Sequence, residues 1–187
     1  DISDVNHKRA GFVEVEREEV VESGLIKEKI ITQTKDDLDK IVKKEIDQDI
    51  LLLDLAFDKR LELEKEYKKL KLDINPIVLI QLPNDDKATR ETLDKSKLEI
   101  VKDYLKNKGV SDHEVVEWFS GSDKKEREGI EKNNSGVSFL IFKQAAATGW
   151  DCPRASILVM FREIKSPVFH TQTLGRILRM PEAKHYS

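Results

Sequence analysis

Apolar residues recur with two different periods along this chain of 187 residues, and the period changes near Pro76. Residues 12–32 (FVEVEREEVVESGLIKEKIIT) alternate apolar and charged positions on either side of Ser23-Gly24, a pattern that predicts two extended segments around a turn. Residues 36–73 contain no Gly or Pro. They place Leu38, Ile41, Val42, Ile46, Ile50, Leu53, Phe57 and Leu61 three or four apart, as one long amphipathic helix requires. A continuous helix of that length would reach roughly 55 Å and outrun a compact domain, so it is expected either to break or to project onto a neighbour, with one portion spanning the core. Its distal end, 59–71, is rich in Glu and Lys.

Beyond Pro76, short apolar runs alternate with helical stretches. Strands are predicted at 77–82 (IVLIQL), 115–119, 137–142 (VSFLIF) and 155–161 (ASILVMF). Helices are predicted at 91–108, closed by Gly109, and at 168–180, with a polar loop or weak helix over 120–136. Strands that are apolar throughout and separated by helices indicate a parallel sheet covered on both faces, an α/β fold. The expected division is residues 1–75, an extended hairpin-like segment and long helix serving as an insertion or interdomain connection, and 76–187, the α/β core.

Composition changes this picture little. The chain is 39% apolar and 37% charged with a net charge of −3, so no global field recruits nucleic acid or an anionic membrane, and any such contact must be local. The single cysteine, Cys152, excludes an internal disulfide framework and a multi-cysteine zinc site and fits a cytoplasmic location. The run 50–57 is interrupted by Asp54 and too short to cross a bilayer, and residues 1–10 lack the apolar stretch of a signal peptide. His7, His113, His170 and His185 show no HExxH or paired spacing, which argues against a metal site, and Ser120-Gly121-Ser122 lacks the GxSxG elbow.

Two segments carry candidate chemistry, each next to a predicted strand end, where open α/β sheets place their ligands. In KQAAATGWDCPRA, 143–155, three alanines allow close packing, Gly149 permits a tight turn, and the Asp151 carboxylate can accept from a sugar hydroxyl or an arginine. Trp150 and Cys152 read as packing residues. In HTQTLGRILRM, 170–180, Arg176 and Arg179 stand three apart on one helical face, where two guanidinium groups can clamp a phosphoryl group in transfer. Taken singly, each segment has a plainer reading: a turn cap for Asp151 and surface ion pairs for the arginines.

Together they resemble motifs V and VI of superfamily-2 helicases. The wording ATGWDCPRA followed by QTLGRILRMPE is similar to the Res subunits of type III restriction enzymes over residues 137–182. PIVLIQLP at 76–83 resembles the motif IV strand, and GLIKEKI at 24–30 a segment between the two motor domains of that family. The resemblance implies the second RecA-like domain of an ATP-dependent DNA helicase or translocase. Arg176 and Arg179 would then reach across an interdomain cleft to the ATP phosphates, with Gln172 and Gly175 in the same motif. Gly149 and Asp151 would lie near the nucleotide sugar, and Lys143, Gln144 and Thr148 would approach the nucleic-acid backbone.

The sequence contains neither GxxxxGK[ST] nor a DExx box after a strand. The resemblance assigns those parts, and with them ATP and Mg2+, to a first RecA-like domain preceding residue 1. It implies as partners that domain, double-stranded DNA and a DNA-methyltransferase (Mod) subunit. A second lobe of this kind is expected to hydrolyse essentially no ATP by itself. The alternatives are a non-catalytic RecA-like scaffold and the motor domain of another superfamily-2 DNA repair helicase.

Overall fold

A computed structural model describes residues 15–28, 31, 47–83, 93–119, 128–143, 150–161, 174–175 and 177–186. Its centre is a four-stranded parallel sheet of β1 (Ile77–Gln81), β2 (Val115–Trp118), β3 (Phe139–Phe142) and β4 (Ala155–Met160), in the spatial order β2-β3-β1-β4. All four predicted strands are present, each within a residue or two of the expected bounds. Parallel pairing of β1 with both neighbours, Val78 opposite Phe139 and Ile157, demands apolar side chains on both faces of the inner strands. Every residue of β1 and β3 is accordingly buried.

Side-chain alternation sorts the strand residues into two cores. Val78, Ile80, Phe139, Ile141 and Val159 face one side, where Leu53 and Ala56 of α2 (Gln48–Lys69) and Val101, Tyr104 and Leu105 of α3 (Leu93–Asn107) cover them. Ile77, Leu79, Leu140, Phe142 and Ala155 face the other. A register irregularity opposite Ile77 and Val78 lets Ala155 and Ile157 point to opposite faces although two residues apart. The second face is covered by Ile130, Cys152, Leu174 and Ile177. The two segments singled out for their chemistry therefore double as the lid on half of the core.

Helix α2 begins later than the apolar periodicity predicts. Asp47 has extended backbone and its side chain accepts from the Asp49 amide, so the helical pattern breaks at this capped N-terminus, one of the two outcomes expected of so long a stretch. Residues 36–46 lie outside the described residues. The 22 residues of α2 span about 33 Å, enough to cross the sheet. Phe57 stacks on Phe139 of β3 (6.1 Å between centroids) and meets Tyr104 edge-on (6.4 Å). The charged distal end makes exposed pairs such as Lys59–Glu62 and Lys69–Glu66, yet it also buries Arg60 and Tyr67.

The predicted hairpin around Ser23-Gly24 is corrected in its first arm, which is a helix, α1 (Arg17–Glu22). The run Glu16-Arg17-Glu18-Glu19 supplies four charged residues with good helix propensity and a capping box between Glu16 and Glu19, which outweigh two flanking valines. Gly24, at φ +77°, ends the helix as a C-terminal glycine does. In the second arm Ile26 forms an isolated antiparallel bridge, and its partner is Arg179, not the first arm.

At the amino ends of the strands a buried arginine ties three loops together. Arg154, fully buried, donates from Nε to the Ile130 carbonyl (2.8 Å) and from Nη1 to the carbonyls of Asn75 (2.6 Å) and Val137 (2.9 Å). Arg60 approaches the same place from α2 and donates to Asn75 Oδ1 (2.7 Å) and Ser138 Oγ (2.8 Å). Burial lowers the Arg154 pKa, and three carbonyl dipoles, one from the approach to β1 and two from the β2–β3 connection, offset that desolvation. The arginine of CPRA is thus a structural clamp. Among the described residues no helix is long and apolar enough to cross a membrane.

Replacing Arg154 by Met keeps most of the volume but removes the guanidinium donor from three carbonyls, leaving Val137 only the Asn75 amide (3.4 Å) and Ile130 only the Cys152 thiol. Chemical unfolding should show a loss of about 3 kcal/mol or more; a loss under about 1 kcal/mol would contradict the clamp.

Candidate functional site

Of the sequence-predicted site residues, the described structure contains Lys143, Asp151, Gly175 and Arg179. Gln144, Thr148, Gly149, Gln172 and Arg176 lie outside the described residues. Asp151 and Arg179, 28 positions apart, are brought together: Arg179 Nη1 donates to Asp151 Oδ2 in an ion pair. The two side chains are 57% and 50% exposed. Ion pairs at such exposure contribute about 0–1 kcal/mol to stability, so folding has little stake in this contact. A guanidinium held this loosely is free to exchange one anionic partner for another.

Asp151 is placed by its neighbours in sequence. Trp150 packs edge-to-face on Trp118 at the carboxyl end of β2 (5.5 Å), Cys152 is buried in the second core, and Arg154 is clamped beneath the amino ends of β1 and β3. The segment 150–154 therefore crosses the second face of the sheet with Asp151 turned outward. Asp151 thus lies next to a strand end, on the approach to the amino end of β4. Burial pushes the Cys152 thiol up to about 11, which keeps it protonated and unreactive near neutral pH, as its packing role implied.

Lys143 does follow the carboxyl end of β3. Its carbonyl accepts from Gln81 Nε2 (3.3 Å) and its ammonium lies over the Phe119 ring (5.8 Å). It stands on the Phe119 side of the sheet and is not part of the Asp151–Arg179 pair. Gly175 has helical backbone like Leu174 and Ile177. A Cβ there would meet nothing within 4 Å, so local packing does not demand a glycine.

The residue that sequence reasoning missed is Lys27. Its ammonium donates to the carbonyls of Ile177 (2.5 Å), Arg179 (2.7 Å) and Ala155 (3.4 Å), joining the extended N-terminal arm to β4 and to the arginine segment. Backbone bonds flank the contact: the Lys27 amide donates to Leu178 (2.7 Å) and the Met180 amide to Leu25 (3.1 Å). Gly24 packs so closely that a Cβ would lie 2.7 Å from the Lys184 Cα. Asn133 Nδ2 adds a bond to the Pro181 carbonyl (3.2 Å). The backbone on both sides of Arg179 is therefore fixed, while the side chain reaches solvent.

Desolvation lowers the Lys27 pKa from 10.5 to about 8, with the Cys152 sulfur acting in the opposite direction. Since each pKa unit is about 1.4 kcal/mol, holding this ammonium charged at neutral pH costs the fold roughly 3 kcal/mol relative to the unfolded chain. Between pH 8 and 10.5 the unfolded chain keeps the proton that the folded chain has released, so the stability contribution of Lys27 rises with pH across that window and falls as pH drops through 8. The unfolding free energy of the natural chain minus that of Lys27→Met should rise over this range by up to about 1.4 kcal/mol per pH unit. A difference that stays flat in urea titrations would contradict the assignment.

The profile of the family described as the helicase conserved C-terminal domain matches residues 77–181, more than half of the chain. No curated protein matches. Among solved structures, the C-terminal part of the Fun30 ATPase domain is similar at 18% identity and a TM-score of 0.40, over 63% of this chain and 35% of that one.

Proposed function

The chain belongs to the helicase conserved C-terminal domain family, and we propose that it serves as the second motor lobe of a superfamily-2 ATP-dependent DNA translocase. The observation that carries this reading is the placement of Arg179: a rigid backbone, an exposed guanidinium, and one weakly held carboxylate partner in Asp151. An arginine that must switch from a resting partner to a transferring phosphoryl group needs those three properties together.

ATP and Mg2+ would be held on the phosphate side by the opposing lobe, because the phosphate cradle and acidic box are not in this sequence. On closure Arg179, with Arg176, would leave Asp151 for the γ-phosphate. Water attacks that phosphorus, the bond to the bridging oxygen of ADP breaks, and the guanidinium groups offset the charge on the equatorial oxygens. Asp151, with Gly149, Gln172 and Gly175, would face the nucleotide, and release of product would return Arg179 to Asp151. Lys143, Gln144 and Thr148 are assigned to the DNA backbone, where a Lys near a strand end offers a phosphate partner.

The parent this reading favours is the Res subunit of a type III restriction enzyme, paired with a DNA-methyltransferase subunit. Its support is the wording around the site, CPRA after TGWD and LRMPE after the arginines. The non-catalytic reading draws on the same ion pair, since a guanidinium already neutralised by Asp151 is also what a scaffold would show. Kinetics separate the two.

In the protein containing both lobes, Arg179→Ala should lower DNA-stimulated ATP turnover by about 10³-fold or more, the usual worth of an arginine finger, with ATP affinity changed little. Turnover within twofold of the natural protein would favour the scaffold.

A further inference from the structure

We propose that Lys27 is a positioning residue for the arginine segment, its ammonium fixing the backbone from which the Arg179 side chain departs. This inference rests on the reading of Arg179 as a phosphate ligand. It adds a residue 152 positions away in sequence that sets where that ligand starts.

An ammonium has three donors and no acceptor, and here all three find carbonyls: Ala155 at the start of β4, Ile177 at the helix end, and Arg179, two residues beyond it in the bridge to Ile26. Carbonyls at a helix end have no partner within the helix and carry the negative end of its dipole, so a cation is the fitting cap. The contact reaches the Arg179 carbonyl itself, between two backbone bonds at Leu178 and Met180. With the Ile177 carbonyl, the three successive peptide units from Ile177 to Met180 are held by residues 25–27, and two of them flank the Arg179 Cα. β4, the arm and the arginine segment meet at this single nitrogen, so a displacement of the arm moves the base of the arginine.

Burying an unshielded charge to hold two chain segments together is not the cheapest way to fold, because an apolar side chain would join the same segments without the desolvation cost. What the ammonium supplies and a methyl group does not is direction, three hydrogen bonds that fix the carbonyls of the turn in place. Geometry of that kind matters when a side chain must meet a reacting group, since a displacement of about 1 Å can cost on the order of 10²-fold in rate.

The test uses the full-length protein and four forms: natural, Lys27→Met, Arg179→Ala and the double variant. If Lys27 acts through Arg179, Lys27→Met lowers kcat for DNA-stimulated ATP hydrolysis at least about tenfold with KM for ATP nearly unchanged, and adds almost nothing in the Arg179→Ala background. Hydrogen exchange read in parallel at the Met180 amide should accelerate at least about tenfold in Lys27→Met and stay unchanged in Arg179→Ala. Lys27→Gln, which keeps two donors, should show the same effects to a smaller degree and serves if the Met variant does not fold. Loss of rate that multiplies in full in the double variant, or unaltered exchange at Met180, would overturn the proposal. Unaltered turnover in Arg179→Ala alongside accelerated exchange in Lys27→Met would place the failure in the reading of Arg179 and leave the clamp standing.

Discussion

Two inner strands with apolar side chains on both faces cannot be left open to water on either side. Burying a side chain such as Leu79 or Ile80 contributes about 2 kcal/mol, so the chain must supply two covers for one sheet. On one face α2 and α3 do this with helices whose apolar positions match the strands beneath them. On the other, the cover includes the stretch from Trp150 to Arg154 and the helical turn bearing Leu174 and Ile177. Packing thereby delivers Asp151 and Arg179 to one surface: each sits next to a residue that the core requires, Cys152 in one case and Ile177 in the other. Function borrows its geometry from burial.

The charges divide by the work they do. Arg154, Arg60 and Lys27 are withdrawn from water and direct donors to carbonyls and short polar side chains that hold loops at fixed positions, with Arg60 also pairing with Glu64 on its own helix. Arg179 and Asp151 stay in solvent, where their mutual attraction is weak and their partners exchangeable. The proposed exchange of Asp151 for a phosphoryl group would need both kinds, since a deeply buried pair would resist exchange and a mobile backbone would not return the side chain to the same place.

Much of this was legible in the residues. The strands announced themselves because a fully buried parallel strand leaves an uninterrupted apolar run, as in IVLIQ and FLIF. Helix α2 was visible in its spacing, and its excessive length pointed to a break or a projection, but the position of the break was not visible, because one aspartate cap at residue 47 outweighs a periodicity that continues on both sides of it. The first arm of the expected hairpin failed because alternation over so short a span does not distinguish a strand from a helix rich in glutamate. At the site, the proximity of Asp151 and Arg179 could be anticipated from their motifs, whereas Lys27 could not. Nothing about a lysine within a charged arm says that its partners lie about 150 residues further on. Arg154 stood in the sequence only as part of the wording CPRA, and the fold shows its role as a structural clamp.

The central claim is that Arg179 exchanges Asp151 for a phosphoryl group presented by the opposing lobe. It is tested most directly by a crystal structure of the two-lobe protein with ADP and aluminium fluoride, which mimics the phosphoryl group in transfer. The account predicts an Arg179 guanidinium nitrogen within about 3 Å of a fluoride, Asp151 released, and the Lys27 contacts to Ile177 and Arg179 intact. An Arg179 that still pairs with Asp151 while the analogue occupies a closed cleft would contradict it.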